Sequence, residues 1–473
     1  MAQKVVIPHV TRIEGHAKIS IHLDGAGEVK NAQLHVTQVR GFEKFCEGRP
    51  YYEMPSITSR ICGICPVSHL LASVKACDAI MAVRIPPAAK MLRQLLHCAQ
   101  MVQSHALSFF HLSAPDLLLG MESDPAKRNI AGLIEKHPEL ARDGIALRRF
   151  GQSAIQRMAG ERVHPSWTVP GGVNAPLSAA NRDAILSEVP IARSIVRRTL
   201  HMFRDAVGGF EEEISHFGNA GSLYAGLTSP KGNLEWYDGQ LRWRNQEGAV
   251  AAVAADPEEY AEYIGEAALS YSYLKAPYFK PLGYPEGMYR VGPLARLNVA
   301  DQCGTPEADG ELAAFRERFG RMPRSAFLYH YARLIEALHG VERMEMLLEH
   351  PDILSTHVRA YASVNAHEGT GIIEAPRGTL IHHYKVDSQG AMRWANLVVA
   401  TGHNNIAMND GVTQVAKRWI RAGRIEEGLL NRVSALVRAY DPCLSCSTHA
   451  QGQPPLVVTL YSAGGELLDE KRA

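Results

Sequence analysis

Arg60-Ile-Cys-Gly-Ile-Cys-Pro-Val-Ser-His69 reads RICGICPVSH, and the hydrophobic period of the chain changes on either side of it. Downstream, Leu70, Val74, Cys77 and Met81 recur at helical spacing, so the cysteine pair stands at the start of a helix. Pro86-Pro87 then interrupts the chain, and Met91, Leu95, Val102, Ala106, Leu107 and Phe110 mark a longer helix running past His111. Upstream, Ala17, Ile19, Ile21 and Leu23 alternate with Lys18, Ser20 and His22, the period of a half-buried strand. DGAGE supplies turn residues and VKNAQLHVTQV resumes extended character, so Ala17 to Val39 reads as a hairpin. Two more long helical patterns run from Arg182 to Ile214 and from Ser325 to Glu349; Pro190 inside the first predicts a kink or break. From about Thr228 to Ala300 turn residues and short apolar runs dominate, without a motif. No internal repeat, low-complexity tract or Ser/Gly linker divides the chain. The patterns predict one large unit, mainly α with small β elements, an α+β class.

With 473 residues, 46% hydrophobic and 21% charged, the chain has enough apolar material for a sizeable core and is neither disordered nor fibrous. A formal charge of +1 gives no reason to expect nucleic acid or another polyanion as partner. The first residues reach Arg12 and Glu14 without the apolar run of about 7 to 15 residues of a secretory signal. No stretch approaches the roughly 20 apolar residues of a membrane span, and a cytoplasmic location is expected.

Eight cysteines are too few for a disulfide scaffold at this size. Cys46, Cys77, Cys98 and Cys303 lack ligand spacing and read as small apolar residues. The other four are paired: Cys62 with Cys65, and Cys443 with Cys446 in Asp441-Pro-Cys-Leu-Ser-Cys-Ser-Thr-His449. Two intervening residues let both thiolates face one ion, and two such pairs permit a four-thiolate site for a soft or borderline metal such as zinc, iron or nickel. Spacing alone leaves structural zinc, a redox disulfide and a catalytic metal open. The flanks favour the last, because a closed zinc site leaves no position for a substrate. RIEGH carries Glu14, EAPRGTLIHHY carries Arg377 between Pro376 and Gly378, and Asp441 precedes the second pair.

Together RIEGH, R-x-C-G-x-C-x-x-x-H, EAPRG and D-P-C-x-x-C-x-x-H, in that order from Arg12 to His449, resemble the large, catalytic subunit of nickel-iron hydrogenases. The wording RGFEKFCEGRPYYEMP, CGICPVSH and VQSHALSFFHLSAPDLLLG looks like the cytoplasmic, bidirectional, NAD-reducing members; relatives coupled to a deazaflavin or another acceptor share part of it. The resemblance implies a large-subunit fold built around a long-helix bundle over residues 1–449. It also implies nickel on Cys62, Cys65, Cys443 and Cys446, with Cys65 and Cys446 bridging to an iron that carries carbon monoxide and cyanide. Glu14 would take the proton from Cys443. Arg377 would sit over the open metal position with Asp116, Pro376 and Asp441 around it. An ion pair of Arg377 with either aspartate fits the same residues, and Asp116 in SAPDLL is also readable as a helix N-cap. His69 would hydrogen-bond a bridging thiolate. Glu43 and His449 match the family's magnesium site.

The chemistry expected is heterolytic splitting of dihydrogen, which becomes acidic only on a Lewis-acidic metal. Electrons must then leave. The chain has no further C-x-x-C for an iron-sulfur cluster, and LDGAGEVK lacks the third glycine and the helix of a dinucleotide site. The resemblance therefore implies an iron-sulfur small subunit, together with a diaphorase that holds FMN, iron-sulfur clusters and NAD. It also implies nickel chaperones and an endopeptidase that removes residues 450–473 by cleavage between His449 and Ala450. A complex I type quinone subunit is disfavoured by the four retained cysteines, a hydrogen sensor by the retained tail, and a zinc protein by Glu14 and Arg377.

Overall fold

A computed structural model describes residues 4–39, 41–420 and 426–448, together with the backbone of residues 457–461 and 467–472. At the N-terminus β1 (Lys4–Ile7), β2 (Ala17–Leu23) and β3 (Val29–Val36) form an antiparallel sheet in the order β1-β2-β3. The predicted hairpin is β2 and β3, with Ile19 opposite Leu34; β1, which pairs along β2, had no alternating pattern long enough to announce it.

Helix α1 (Pro66–Met81) begins where the period changes. Pro66 at its first position brings a fixed φ and no N–H to satisfy, which makes it a good helix starter and leaves Cys65 as N-cap. Helix α2 (Pro87–Ala106) follows the proline pair. Past Ala106 the chain keeps turning as the wider π-helical segment Leu107–Ser113. Helices α3 (Pro138–Ala159) and α4 (Ala179–Ala206) come next. Pro190 does not break α4, because packing along the helix outweighs its penalty, and the interruption falls instead at the turn Val207–Phe210, which contains Gly208 and Gly209.

The motif-poor stretch folds into a small sheet of β4 (Leu223–Thr228), β5 (Gln240–Arg244) and β6 (Val250–Ala254), with Tyr289–Arg290 parallel to β4. Helix α5 (Tyr329–Glu349) is buried on nearly every side from Tyr329 to Glu342, which makes it the central rod of the α2, α3, α4 and α5 bundle. Phe109, Phe203 on α4 and Tyr331 on α5 meet edge to face at centroid distances of 5.5 and 6.0 Å. Burial of each such ring contributes roughly 2 kcal/mol.

An antiparallel sheet of β7 (Glu368–Ala375), β8 (Gly378–Val386) and β9 (Met392–Val398) then packs on α1. Ala375 pairs with Gly378, so Pro376 and Arg377 are the two-residue tip of the β7–β8 hairpin. Helix α6 (Asn405–Trp419) covers the edge of β3: Thr413 Oγ1 and Asn409 Oδ1 accept the Ala32 and Leu34 N–H groups at 3.1 and 2.9 Å. Helix α7 (Glu427–Ala439) leads into a single turn, Leu444–Ser447. The apolar stretch LVVTLYS of the tail contributes a strand, Val457–Tyr461, paired antiparallel with Leu467–Arg472. Among the described residues no helix is long and apolar enough to cross a membrane.

Candidate metal centre

The two cysteine pairs, separated by nearly the whole chain, meet in the interior. Their four sulfurs lie within 4.8 Å of one another and all four residues are buried. Cys62 Sγ is 3.3 Å from Cys443 Sγ, Cys65 Sγ 3.7 Å from Cys446 Sγ, and Cys443 Sγ 2.8 Å from Cys446 Sγ. None is joined in a disulfide, whose sulfurs would be about 2.05 Å apart. Two thiolates on one tetrahedral metal stand roughly 3.8 Å apart, the spacing of Cys65 and Cys446, while the other two pairs are closer. Cys46, Cys77, Cys98 and Cys303 are free, buried and apart from the cluster, as read from the sequence.

Each pair is prepared locally. Cys62 Sγ accepts the Ile64 and Cys65 N–H groups at 3.2 and 3.4 Å, the turn that C-x-x-C spacing provides. Cys65, at the N-terminus of a helix of 16 residues, faces the positive end of its dipole. Its thiol is held well below the ordinary range by hydrogen bonds from Cys443, Cys446, Cys62 and His69. Burial pushes Cys443 and Cys446 the other way. One thiolate shared among buried thiols is what a four-sulfur cluster adopts until a cation supplies balancing charge.

Glu14 reaches this cluster from the N-terminal segment. Its Oε2 accepts from Cys443 Sγ at 3.1 Å and from the Ser445 N–H at 3.0 Å, and its carbonyl accepts the Leu444 N–H. Gly15 makes the approach possible: φ is +88°, and a Cβ there would stand 2.7 Å from Leu444 Cβ.

Arg377 enters from the hairpin tip. Its Nε donates to the Asp441 carbonyl at 2.6 Å and one Nη to Asp441 Oδ1 at 3.1 Å, while Nη1 and Asp441 Oδ2 are buried without a partner. Burial works against the guanidinium charge, but Asp441 and the negative charge of the cysteine cluster hold it firmly protonated. Gly378 (φ +134°) lets the hairpin press against Val291, where a Cβ would stand 2.2 Å from Val291 Cγ2.

Pro376, Arg377, His69, Cys65, Cys443 and Cys446 line a cavity of about 10 Å³, closed by Leu380, Val399 and Ala400. That is room for about one water-sized molecule. A more open cavity of about 600 Å³ between Tyr260, His383 and Trp394 contains none of the four cysteines, so donor chemistry rather than size marks the site.

Asp116 does not line this cavity and is not paired with Arg377. It occupies the first turn of helix Ala114–Leu119, whose N-cap is Ser113, so it is not the N-cap itself. Its carboxylate accepts from Arg12 at 2.5 Å, Arg438 at 2.9 Å and Asn431 at 3.0 Å, with Arg128 at 3.5 Å. Of the two aspartates, Asp441 pairs with Arg377. Glu43 Oε1 accepts the Leu397 N–H at 2.9 Å; His449 lies outside the described residues, and so does any pairing of the two.

Two supports escaped the sequence reading. Thr401 Oγ1 accepts the Cys443 N–H at 2.9 Å, a contact that no local pattern announces. Arg296, fully buried, donates to Glu336 twice at 2.6 Å, to Glu374 at 2.9 Å and to the Ala375 and Pro376 carbonyls at 2.8 and 3.2 Å, fixing the backbone before Arg377. Glu336 is consequently held at about 2 against the cost of burial, chiefly by Arg296. Glu374, inside EAPRG, was the available signal.

The comparisons with known proteins agree with this geometry. The family model for nickel-dependent hydrogenase matches residues 40–133 and 231–449, and a model described as HoxL-like matches residues 4–39. The chain belongs to the nickel-dependent hydrogenase family. It is 41% identical over 487 residues to the NAD-reducing hydrogenase HoxS subunit beta of Cupriavidus necator, covering all of both chains. It is also 41% identical over 471 residues to one of the subunits of the F(420)-non-reducing hydrogenase vhc of Methanococcus voltae, covering 98% of this chain and 99% of that one. The crystal structure of an NAD+-reducing NiFe hydrogenase in its hydrogen-reduced state superposes with a TM-score of 0.92 at 44% identity, covering 94% of this chain and 99% of the other. This hydrogenase large subunit is therefore an oxidoreductase with the α+β fold of its family, and it carries a buried group of four cysteines that could hold a metal ion.

Proposed function

We propose that the chain splits dihydrogen heterolytically at a nickel-iron centre on Cys62, Cys65, Cys443 and Cys446, and that the electrons pass through partner subunits to NAD. The observation that carries the reading is the convergence of four buried sulfurs with a carboxylate 3.1 Å from one of them, three of the sulfurs facing a small cavity together with Arg377, which has an unpartnered guanidinium nitrogen. The donor set fits: four soft ligands, an extra cation to balance them, and space for a diatomic rather than an organic substrate. When bound, the metals supply the Lewis acidity that makes dihydrogen a usable acid.

The residues supply the rest. Cys443 holds the proton released and Glu14, already hydrogen-bonded to it, carries it toward solvent. The Ser445 N–H fixes the Glu14 carboxylate for that transfer. Arg377 stays charged and acts by position and field, and Asp441 orients it from below. Pro376 and Leu380 give the cavity apolar walls. His69 donates to Cys65, and Cys65 and Cys446 would also hold the iron, whose carbon monoxide and cyanide ligands would tune its electron density. Asp116 contributes at a distance, by holding Arg12 and Arg438 between the RIEGH strand end and α7. A magnesium ion at Glu43 and His449 belongs to the same reading.

NAD as acceptor is supported by the 41% and 44% identities to NAD-reducing enzymes over nearly the whole chain. Equal identity to the Methanococcus voltae protein favours a second reading, in which another cytoplasmic acceptor replaces NAD. Either way the chain works with an iron-sulfur small subunit, joined for NAD by a flavin and iron-sulfur diaphorase. The family match ends at residue 449, which supports a catalytic unit 1–449 and removal of 450–473 by an endopeptidase after nickel insertion.

The test is metal analysis of the matured enzyme with infrared spectroscopy. Nickel, iron and carbonyl and cyanide bands are expected, and zinc alone would end the proposal. Purification with the partner subunits and assay of hydrogen-dependent NAD reduction separates the two acceptors.

A further inference from the structure

Behind His69, away from the metal centre, three more buried groups continue in line. His69 Nδ1 lies 3.1 Å from His382 Nε2, His382 Nδ1 lies 2.7 Å from the Tyr384 hydroxyl, and that hydroxyl lies 2.9 Å from Ser73 Oγ. His69 is 1% exposed and the other three 0%, so water completes none of these contacts. Two packed elements hold all four: His69 and Ser73 are one turn apart on α1, and His382 and Tyr384 share one face of β8.

We propose that His69, His382, Tyr384 and Ser73 form a hydrogen-bonded line that fixes the orientation of the His69 ring and holds its N–H toward the Cys65 sulfur. His382 and Tyr384 are positioning residues in this arrangement. The inference rests on Cys65 being a metal ligand.

A metal-bound thiolate is deprotonated and can only accept, so His69 offers an N–H to Cys65. Its other nitrogen, Nδ1, meets His382 Nε2, His382 Nδ1 meets the Tyr384 hydroxyl, and that hydroxyl donates to Ser73 Oγ. Burial pushes His382 well below its ordinary pKa, so this ring holds the line as a neutral imidazole.

The line ends at Ser73, which has no exposed surface, so it is no route for protons leaving the site. Glu14, partly exposed and on Cys443, keeps that task. The line acts instead on the electron density of the sulfur: a lost donor makes the thiolate a stronger electron donor to its metals.

Tyr384→Phe removes the hydroxyl and keeps the ring. In the matured holoenzyme its carbonyl and cyanide bands are expected to move to lower wavenumber, because more electron density reaches the iron. Ser73→Ala should move them less, in the same direction. Thr199→Val, which removes a buried hydroxyl bonded only within α4, should leave them in place. Unshifted bands in Tyr384→Phe, or in Ser73→Ala if the tyrosine variant does not load metal, overturn the proposal. Equal shifts in Thr199→Val overturn it as well. Absence of the bands from the wild-type enzyme overturns the metal reading itself, and this inference with it.

Discussion

The two C-x-x-C pairs have the same spacing and opposite support. Cys62 and Cys65 lie on the turn that opens a 16-residue helix buried against β7, so their geometry is set within ten residues of chain. Cys443 and Cys446 lie on a one-turn helix, and what holds them is remote: Glu14 on the Leu444 and Ser445 N–H groups, Thr401 on the Cys443 N–H, and Arg377 on Asp441. Asp441 itself takes φ +52° immediately before a proline, a conformation that costs energy and is kept by these contacts. One half of the site is therefore a feature of local structure. The other half is a latch held by segments remote from it in the sequence.

The strongest way to break the contrast is through Glu14, which the second pair uses and the first does not. Glu14→Gln keeps both backbone and side-chain acceptors for the latch but removes the base, so nickel content should stay normal while hydrogen-isotope exchange falls roughly 10² to 10⁴-fold. Exchange at a near-normal rate would mean that protons leave by another group.

A smaller effect compares two glycines. Gly15→Ala meets both a positive φ and Leu444 Cβ at 2.7 Å and should cost about 1 to 3 kcal/mol, seen as lower nickel occupancy and an earlier thermal transition. Gly63→Ala, between the first two cysteines, has nothing within 4 Å of its added carbon and should change stability by less than about 0.5 kcal/mol. Equal losses would erase the distinction between the pairs.

The mildest test is amide exchange after chelation of the metal. The Cys443, Leu444 and Ser445 amides should gain exchange rate by a larger factor than those of Ser68 and His69, because the latch has no long helix beneath it. Similar gains would place the two halves in one cooperative unit.

Much of this was legible along the chain. The helix start at Pro66, the β2–β3 hairpin and the helix at Ser325 to Glu349 follow from period, proline and turn residues, all of which act over a few positions. Pro190 misled because a local penalty of about 3 kcal/mol was outweighed by packing along the rest of α4. The small sheet at residues 223–254 was illegible because its strands are short and share no burial pattern: Leu223–Thr228 is buried throughout, whereas Val250–Ala254 is buried only at Ala254.

At the site, the cysteines, Glu14 and Arg377 stood in compact motifs whose residue types have few other uses together. Thr401, Arg296 and the His382–Tyr384–Ser73 line did not, since each is an ordinary residue whose importance lies in what it faces. Asp116 shows the same limit from the other side: its motif was plain, yet three arginines from distant segments, and not Arg377, surround its carboxylate.

By itself the sequence determined the donor atoms, their spacing within each pair, and the elements on which the first pair and the Arg377 hairpin stand, because ligand type and helix or strand period are properties of neighbouring residues. Only the tertiary structure decided that the two pairs meet, that Glu14 touches Cys443, and that Asp441 claims Arg377. Those contacts span from 64 to more than 400 residues, and burial of a shared core, not any local preference, brings such segments together.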